Sequence, residues 1–202
     1  MNIFLALMLG YLFGSIPWSL IIGKTFYKVD IREHGSGNLG ASNAGRTLGK
    51  KAGLTVATLD LSKALVAMLL TVWLTDKNTA IYAGIAASLG HCYPIFAKFK
   101  GGKAVSTAAG YLLGLTLFVE TNGLLILIIA LITFFGMLKL FKMASLASIT
   151  FVSVSSIALF VLQDNILYSA SFLLIALIVI ARHHQNIQRI LNKQERKITW
   201  MK

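Results

Sequence analysis

An all-α integral membrane protein with seven transmembrane helices is predicted by three features of this 202-residue chain. It is 56% hydrophobic with a mean hydropathy of +0.75, its apolar residues fall into seven long runs, and its basic residues occupy alternate connections. That much apolar surface, broken by only two prolines, exceeds what a core of this size can hide. A net charge of +12 would suggest nucleic acid in a soluble domain. In a membrane chain it fits cytoplasmic loops beside anionic lipids, so no nucleic-acid partner is expected. The single cysteine, Cys92, precludes an intrachain disulfide and is expected at the membrane interface.

The apolar runs cover residues 3–22, 52–74, 79–96, 104–119, 123–138, 144–162 and 166–181. Those of the third, fourth, fifth and seventh are short against the roughly 20 residues that a bilayer requires, which predicts local thinning or re-entrant turns. The first run is expected to be a retained helix, because no Lys or Arg precedes it and no small-residue cleavage site follows. Pro17 removes a backbone donor and is expected to kink that helix, with Ser15 and Ser19 helping to tolerate the kink. No repeat or linker divides the chain, which reads as a single transmembrane domain, 1–202.

Charge gives the orientation. The segment after the first run carries Lys24, Lys28, Arg32, Arg46, Lys50 and Lys51; Lys98, Lys100 and Lys103 follow the third; Lys139 and Lys142 follow the fifth; Arg182, Arg189, Lys193, Arg196, Lys197 and Lys202 follow the seventh. The other connections hold only Lys77, against Asp76, Glu120 and Asp164. Because Lys and Arg accumulate on the cytoplasmic side, the N-terminus is placed outside and the C-terminus inside.

Three polar signatures lie at that face. GSGNLGASN (35–43) packs Gly35, Gly37, Gly40 and the nearby Gly45 among Ser36, Asn38, Ser42, Asn43 and Arg46. Such glycines let backbone N–H groups converge on an anion, and the short polar side chains and guanidinium supply further donors, so the segment reads as a phosphate cradle rather than a plain flexible loop. It is neither a Walker loop nor a dinucleotide fingerprint, since GxxxxGK[ST] is absent and no strand precedes it.

In GHCYPIFAKFKGGKAVST (90–107), the pair Gly101 and Gly102 stands before a new helix. Free N–H groups are expected at its positive end, with Lys103 adding a formal charge. Ordinary topology charge accounts for Lys98 and Lys100 but not for the double glycine. His91 is expected to be a hydrogen-bonded interfacial residue rather than a base.

In RHHQNIQR (182–189), helical spacing puts His183 and Asn186 on one face and Arg189 a turn beyond. His183 and His184 do not converge on one metal from a regular helix, so no metal is implied. Asp60 and Lys63, i and i+3 within the second run, either neutralise one another or also support the cytoplasmic loops. Ser145, Ser148, Ser153, Ser155 and Ser156 suit close helix packing, as do Gly10-x-x-x-Gly14 and Gly110-x-x-x-Gly114. Ser145 differs in standing at the cytoplasmic end.

With GSIPWSLIIGK (14–24), EHGSGNLGASNAGRTLG (33–49) and LDLSKA (59–64) added, the chain resembles, over nearly its whole length, the bacterial membrane acyl-phosphate:glycerol-3-phosphate acyltransferases, the PlsY family. Ser42, Leu39, Ala64 and Ala104 stand where Thr, Pro, Gly and Gly are usual. The resemblance implies a seven-helix enzyme in the bacterial cytoplasmic membrane, its active site facing the cytoplasm. It would move an acyl group from acyl phosphate to the 1-hydroxyl of sn-glycerol 3-phosphate, giving lysophosphatidic acid and phosphate without a cofactor. Its partners are those two substrates and membrane lipids.

The implied catalytic residues are His183, Asn186, Lys103 and Ser145. The implied substrate-binding residues are Ser36, Gly37, Asn38, Gly40, Ser42, Asn43, Arg46, Gly101 and Gly102. The competing reading is a transporter or exchanger of phosphorylated metabolites, but neither repeated halves nor a midplane site is visible. A membrane structural or assembly protein would not need the lysine and histidine-asparagine clusters.

Overall fold

The computed structural model describes residues 2–119 and 122–198, and every regular element among them is helical. Glu120 and Lys202 of the charge pattern lie outside the described residues. The chain divides into two compact units, Met1–Val119 and Glu120–Lys202. In the first, α1 (Asn2–Gly14) and α2 (Trp18–Phe26) form one interrupted span, α3 (Ala41–Thr47) follows a polar loop, α4 (Lys50–Leu74) and α5 (Ala80–Cys92) are apolar, and α6 (Val105–Gly114) continues as a π-helical segment to Val119. The second unit contains α7 (Gly123–Phe141), α8 (Ala144–Leu162), α9 (Ile166–Arg182) and α10 (His184–Leu191).

Five segments are long and apolar enough to cross a membrane: Asn2–Phe26, Lys50–Leu74, Ala80–Ala97, α7 and α8. The bent pair α9–α10, turned by 59°, makes a sixth. A multi-pass membrane protein follows. The fifth run is not short, since α7 extends three residues beyond the predicted end to Phe141. The fourth is short: its fifteen residues, Val105–Val119, reach about 22 Å against roughly 30 Å of hydrocarbon.

Pro17 breaks the first span instead of kinking it. The helix stops at Gly14 and restarts at Trp18 with Pro17 as its N-cap, a position where the missing N–H interrupts no helical bond. Ser15 and Ser19 do not repair the break as expected. Their buried hydroxyls have no hydrogen-bond partner, while the Leu20 and Ile21 amides close on the Pro17 carbonyl. Cys92 is buried at the end of α5.

Helix packing in hydrocarbon depends on close approach, because lipid tails are as apolar as the side chains that they would replace. The glycines provide it. A Cβ on Gly10 would lie 2.1 Å from the Ala83 carbonyl oxygen of α5, and one on Gly110 would lie 2.0 Å from that of Leu61 on α4. Among the serines of α8, Ser148 and Ser155 donate to carbonyls one turn back, Ala144 and Phe151, which keeps their hydroxyls satisfied within the helix.

Gly10→Ala therefore forces α1 from α5 and should cost about 1–3 kcal/mol of stability. Gly136→Ala, which meets nothing within 4 Å, should be neutral or stabilising by up to about 1 kcal/mol. Thermal unfolding of the two variants in one detergent separates these outcomes, and equal losses would refute the packing argument.

Candidate active site

In the first unit, the polar loop is built from its own hydrogen bonds. Asp30 caps a 3₁₀ turn, Ile31–Glu33, accepting from the Arg32 amide at 3.1 Å and from the Arg32 guanidinium at 2.9 Å and 2.5 Å, with Lys24 Nζ at 3.2 Å. The Arg32 hydrogen bond, outweighing desolvation, holds the Asp30 carboxyl well below the usual carboxylate range. Downstream, buried Asn43 staples the loop: Nδ2 donates to the carbonyls of Ile31 and His34 at 3.2 Å and 3.1 Å, and Oδ1 accepts from the Ser36 amide at 2.9 Å.

This changes how the cradle is read. The Ser36 amide is committed to Asn43 and the Gly37 amide to the His34 carbonyl at 3.0 Å, so neither points to an anion in this arrangement. Asn43 likewise spends both amide hydrogens internally, as a positioning residue. Gly35 and Gly37 have φ of +63° and +68°, which L side chains rarely adopt, and a Cβ on Gly35 would lie 2.2 Å from Asn43 Oδ1. The side chains of Ser36, Ser42 and Arg46 are exposed, those of Asn38 and the Gly40 backbone half-buried; Arg46 Nε donates to the Ser42 carbonyl at 3.0 Å.

The first and second signatures are brought together by apolar packing. Ile31 and Leu39 of the loop and Ala44 of α3 share a buried cluster with Val56 of α4 and Ala97. Leu39 and Ala97 thereby seat the two polar segments on one core.

Gly101 and Gly102 are buried, and they do not open α6 with free amides as expected. The helix starts at Val105, and the Gly102 amide donates to the His91 carbonyl at 2.9 Å. Space explains the pair: a Cβ on Gly101 would lie 2.1 Å from that carbonyl oxygen, and one on Gly102 would lie 2.0 Å from His91 Nε2. Half-buried Lys103 follows directly. Ala104 then takes a left-handed conformation, φ +59°, which gives a physical reason for the Gly usual there.

In the second unit, three side chains converge on Glu195. Ser145 Oγ and Asn186 Nδ2 each donate to Oε1 at 2.7 Å, and Arg189 Nε donates to Oε2 at 2.9 Å. Burial alone would raise the Glu195 pKa, but the bonds from Asn186, Ser145 and Arg189 outweigh it and hold the carboxyl below its ordinary 4.5. The tail is also tied by the Ile198 amide to the Lys142 carbonyl at 2.7 Å.

His183 sits buried at the junction of α9 and α10, and its Nδ1 lies 2.8 Å from the Val179 carbonyl. A carbonyl only accepts, so Nδ1 carries a proton, and in the neutral ring Nε2 is the acceptor. His183 and Asn186 are both buried, whereas His184 is exposed. Sequence reading missed Glu195, although a lone acid among the six basic residues of the tail was a usable signal. It also underrated His91.

Comparison with known proteins decides the family. The glycerol-3-phosphate acyltransferase family model matches residues 4–193. The chain belongs to the glycerol-3-phosphate acyltransferase family. Relatives of that description from Staphylococcus haemolyticus (strain JCSC1435) and Staphylococcus aureus (strain JH9) are each 44% identical over 210 residues, covering both chains completely. Two crystal structures of PlsY (YgiH), an integral membrane glycerol 3-phosphate acyltransferase, are similar to it: the glycerol 3-phosphate form with TM-score 0.88 at 33% identity, and the lysophosphatidic acid form with TM-score 0.86 at 32%. Each match covers 98% of this chain and 96% of the other.

Because the Glu195 pKa is depressed on folding, its contribution to stability is complete above 4.5 and is lost as pH falls through the lower folded-state value. The unfolding temperature of the wild-type protein should fall on acidification through that window. Glu195→Gln should start lower at neutral pH and respond less to the same acidification; parallel profiles would remove Glu195 as the organising charge.

Proposed function

We propose that this chain transfers a fatty acyl group from acyl phosphate to the 1-hydroxyl of sn-glycerol 3-phosphate, releasing lysophosphatidic acid and inorganic phosphate in phospholipid synthesis. The observation that carries the reading is family membership across residues 4–193 in a chain that retains each polar signature. Acyl phosphate is a mixed anhydride and already activated. The hydroxyl oxygen attacks the acyl carbon, the bond from that carbon to the bridging phosphate oxygen breaks, and phosphate leaves, so no nucleotide, coenzyme A or acyl-serine is required.

Ser36, Asn38, Ser42 and Arg46, with Gly37 and Gly40 shaping the backbone and Asn43 stapling it, are proposed to hold phosphate. Lys103, set by Gly101 and Gly102, supplies a charge that stabilises the oxyanion and the leaving group. Ser145 is proposed as a hydrogen-bond donor rather than a nucleophile; in this arrangement its single hydroxyl proton goes to Glu195, so it serves the site through that carboxylate. His183 orients the attacking hydroxyl through Nε2, Asn186 fixes its direction, and the proton passes to the donor phosphate, whose second ionisation lies near pH 6.

The proposed topology is seven crossings in the bacterial cytoplasmic membrane, N-terminus outside, chemistry at the cytoplasmic face. It requires Val105–Val119 and α9 to cross as well and is supported by the distribution of Lys and Arg. Residues 1–202 act as one functional domain, because neither unit alone carries every candidate residue. Reporters inserted at Asn78 or Asp164 should be external and one fused to the C-terminus cytoplasmic; cytoplasmic insertions would reverse the assignment.

Lys103→Ala and Arg46→Ala should each reduce transfer by about a hundredfold or more in inserted protein, since each removes charge stabilisation of the reacting groups. Lys98→Ala, at an exposed turn, should be mild. His183→Asn should retain measurable transfer with weaker use of glycerol 3-phosphate and an unchanged acidic limb in the pH-rate profile. Loss to background together with loss of that limb would make His183 the base. Near-normal rates in both cation variants would remove the phosphate site.

A further inference from the structure

Asp60, Lys63 and His91 form a buried chain of polar groups in the first unit. Lys63 Nζ lies 2.8 Å from Asp60 Oδ1 and 3.2 Å from His91 Nδ1, and the Asp60 and Lys63 side chains are 2% and 3% exposed. An ammonium has donors only, so His91 Nδ1 must accept, and the ring is neutral with its proton on Nε2. A protonated ring would place two cations against the single carboxylate. His91 Nδ1 and Asp60 Oδ1 are 3.6 Å apart, consistent with Lys63 acting as the link between them.

The opposite edge of the His91 ring abuts Gly102. Positions for a Cβ there fall 2.0 Å from Nε2, 2.8 Å from Cε1 and 2.9 Å from Cδ2, and the Gly102 amide donates to the His91 carbonyl. On the other side of Lys103, Thr107 Oγ1 donates to the Asp60 carbonyl at 3.3 Å. The segment carrying Lys103 is therefore attached at both ends, through His91 and through Thr107, to the same turn of α4. An ion pair that merely neutralised itself would need neither attachment.

We propose that Asp60, Lys63 and His91 are positioning residues that fix the backbone from which Lys103 meets its anionic substrate. This rests on the role given to Lys103 above. Two variants separate it from simple self-neutralisation. Asp60→Asn/Lys63→Met removes both charges without leaving either unpaired, but abolishes the anchor for His91. His91→Gln keeps a neutral acceptor for Lys63 and removes the ring that abuts Gly102.

Purified full-length variants are compared for KM and kcat with glycerol 3-phosphate and acyl phosphate varied separately, and for amide hydrogen exchange over residues 98–104. Both variants should exchange faster over that segment, and the KM for a phosphorylated substrate should rise about ten- to a hundredfold, with a smaller change in kcat. Wild-type exchange and kinetics in His91→Gln, or in the double variant, overturn the proposal. If the double variant fails to insert, His91→Gln decides alone. Lys103→Ala in parallel keeps the two claims apart: full activity there would remove the role of Lys103, while hydrogen exchange still reports whether His91 anchors the segment.

Discussion

Hydrocarbon offers no hydrogen bonds and no screening, so a charge placed in it needs a partner within the protein. Lys63 illustrates the constraint at its most severe. Its ammonium is buried on α4, and the carboxylate one turn back and the imidazole on α5 surround it with an acceptor set that leaves the group neutral as a whole. The same constraint favours helix throughout the apolar segments, and glycine is the means of bringing α1 to α5 and α6 to α4.

The polar loops follow a related economy. Much of the donor capacity in the first signature is spent on shaping the loop, with Asn43 joining three backbone groups and Asp30 holding the turn that leads into it. In the second unit Glu195 does the equivalent for Ser145, Asn186 and Arg189. The proposed site therefore assigns recognition of its two phosphorylated substrates to a few cations, Arg46 and Lys103 among them, and leaves to Asn43 and Glu195 the work of shaping the backbone and side chains around them. Rigid placement matters in the proposed reaction, where neither acyl transfer nor release of phosphate demands a covalent intermediate and orientation and charge are the sources of catalysis.

Much of this was legible in the chain. The limits of α8 coincide with the predicted 144–162, because a long apolar run ending in polar residues has little freedom in where it stops. Glycine spacing also announced the close helix contacts. The significance of Gly101 and Gly102 was not legible, because the group that excludes a Cβ there, His91, comes from the preceding helix and only the folded chain sets the distance. Glu195 was hidden for a similar reason: pattern reading averages charge along a tail, whereas convergence of Ser145, Asn186 and Arg189 on one carboxylate is a tertiary fact. The first span was misjudged at Pro17 because a break at an N-cap and a kink within a helix leave the same local composition.

The most direct test of acyl transfer is a dual-label experiment on purified protein in bilayers. Acyl phosphate carries one label in the acyl chain and another in the phosphate, and glycerol 3-phosphate is supplied or withheld. The account predicts that labelled lysophosphatidic acid and labelled inorganic phosphate appear in equal amounts and that both depend on glycerol 3-phosphate. Phosphate release at the same rate without glycerol 3-phosphate, or no labelled lysophosphatidic acid in its presence, would contradict it.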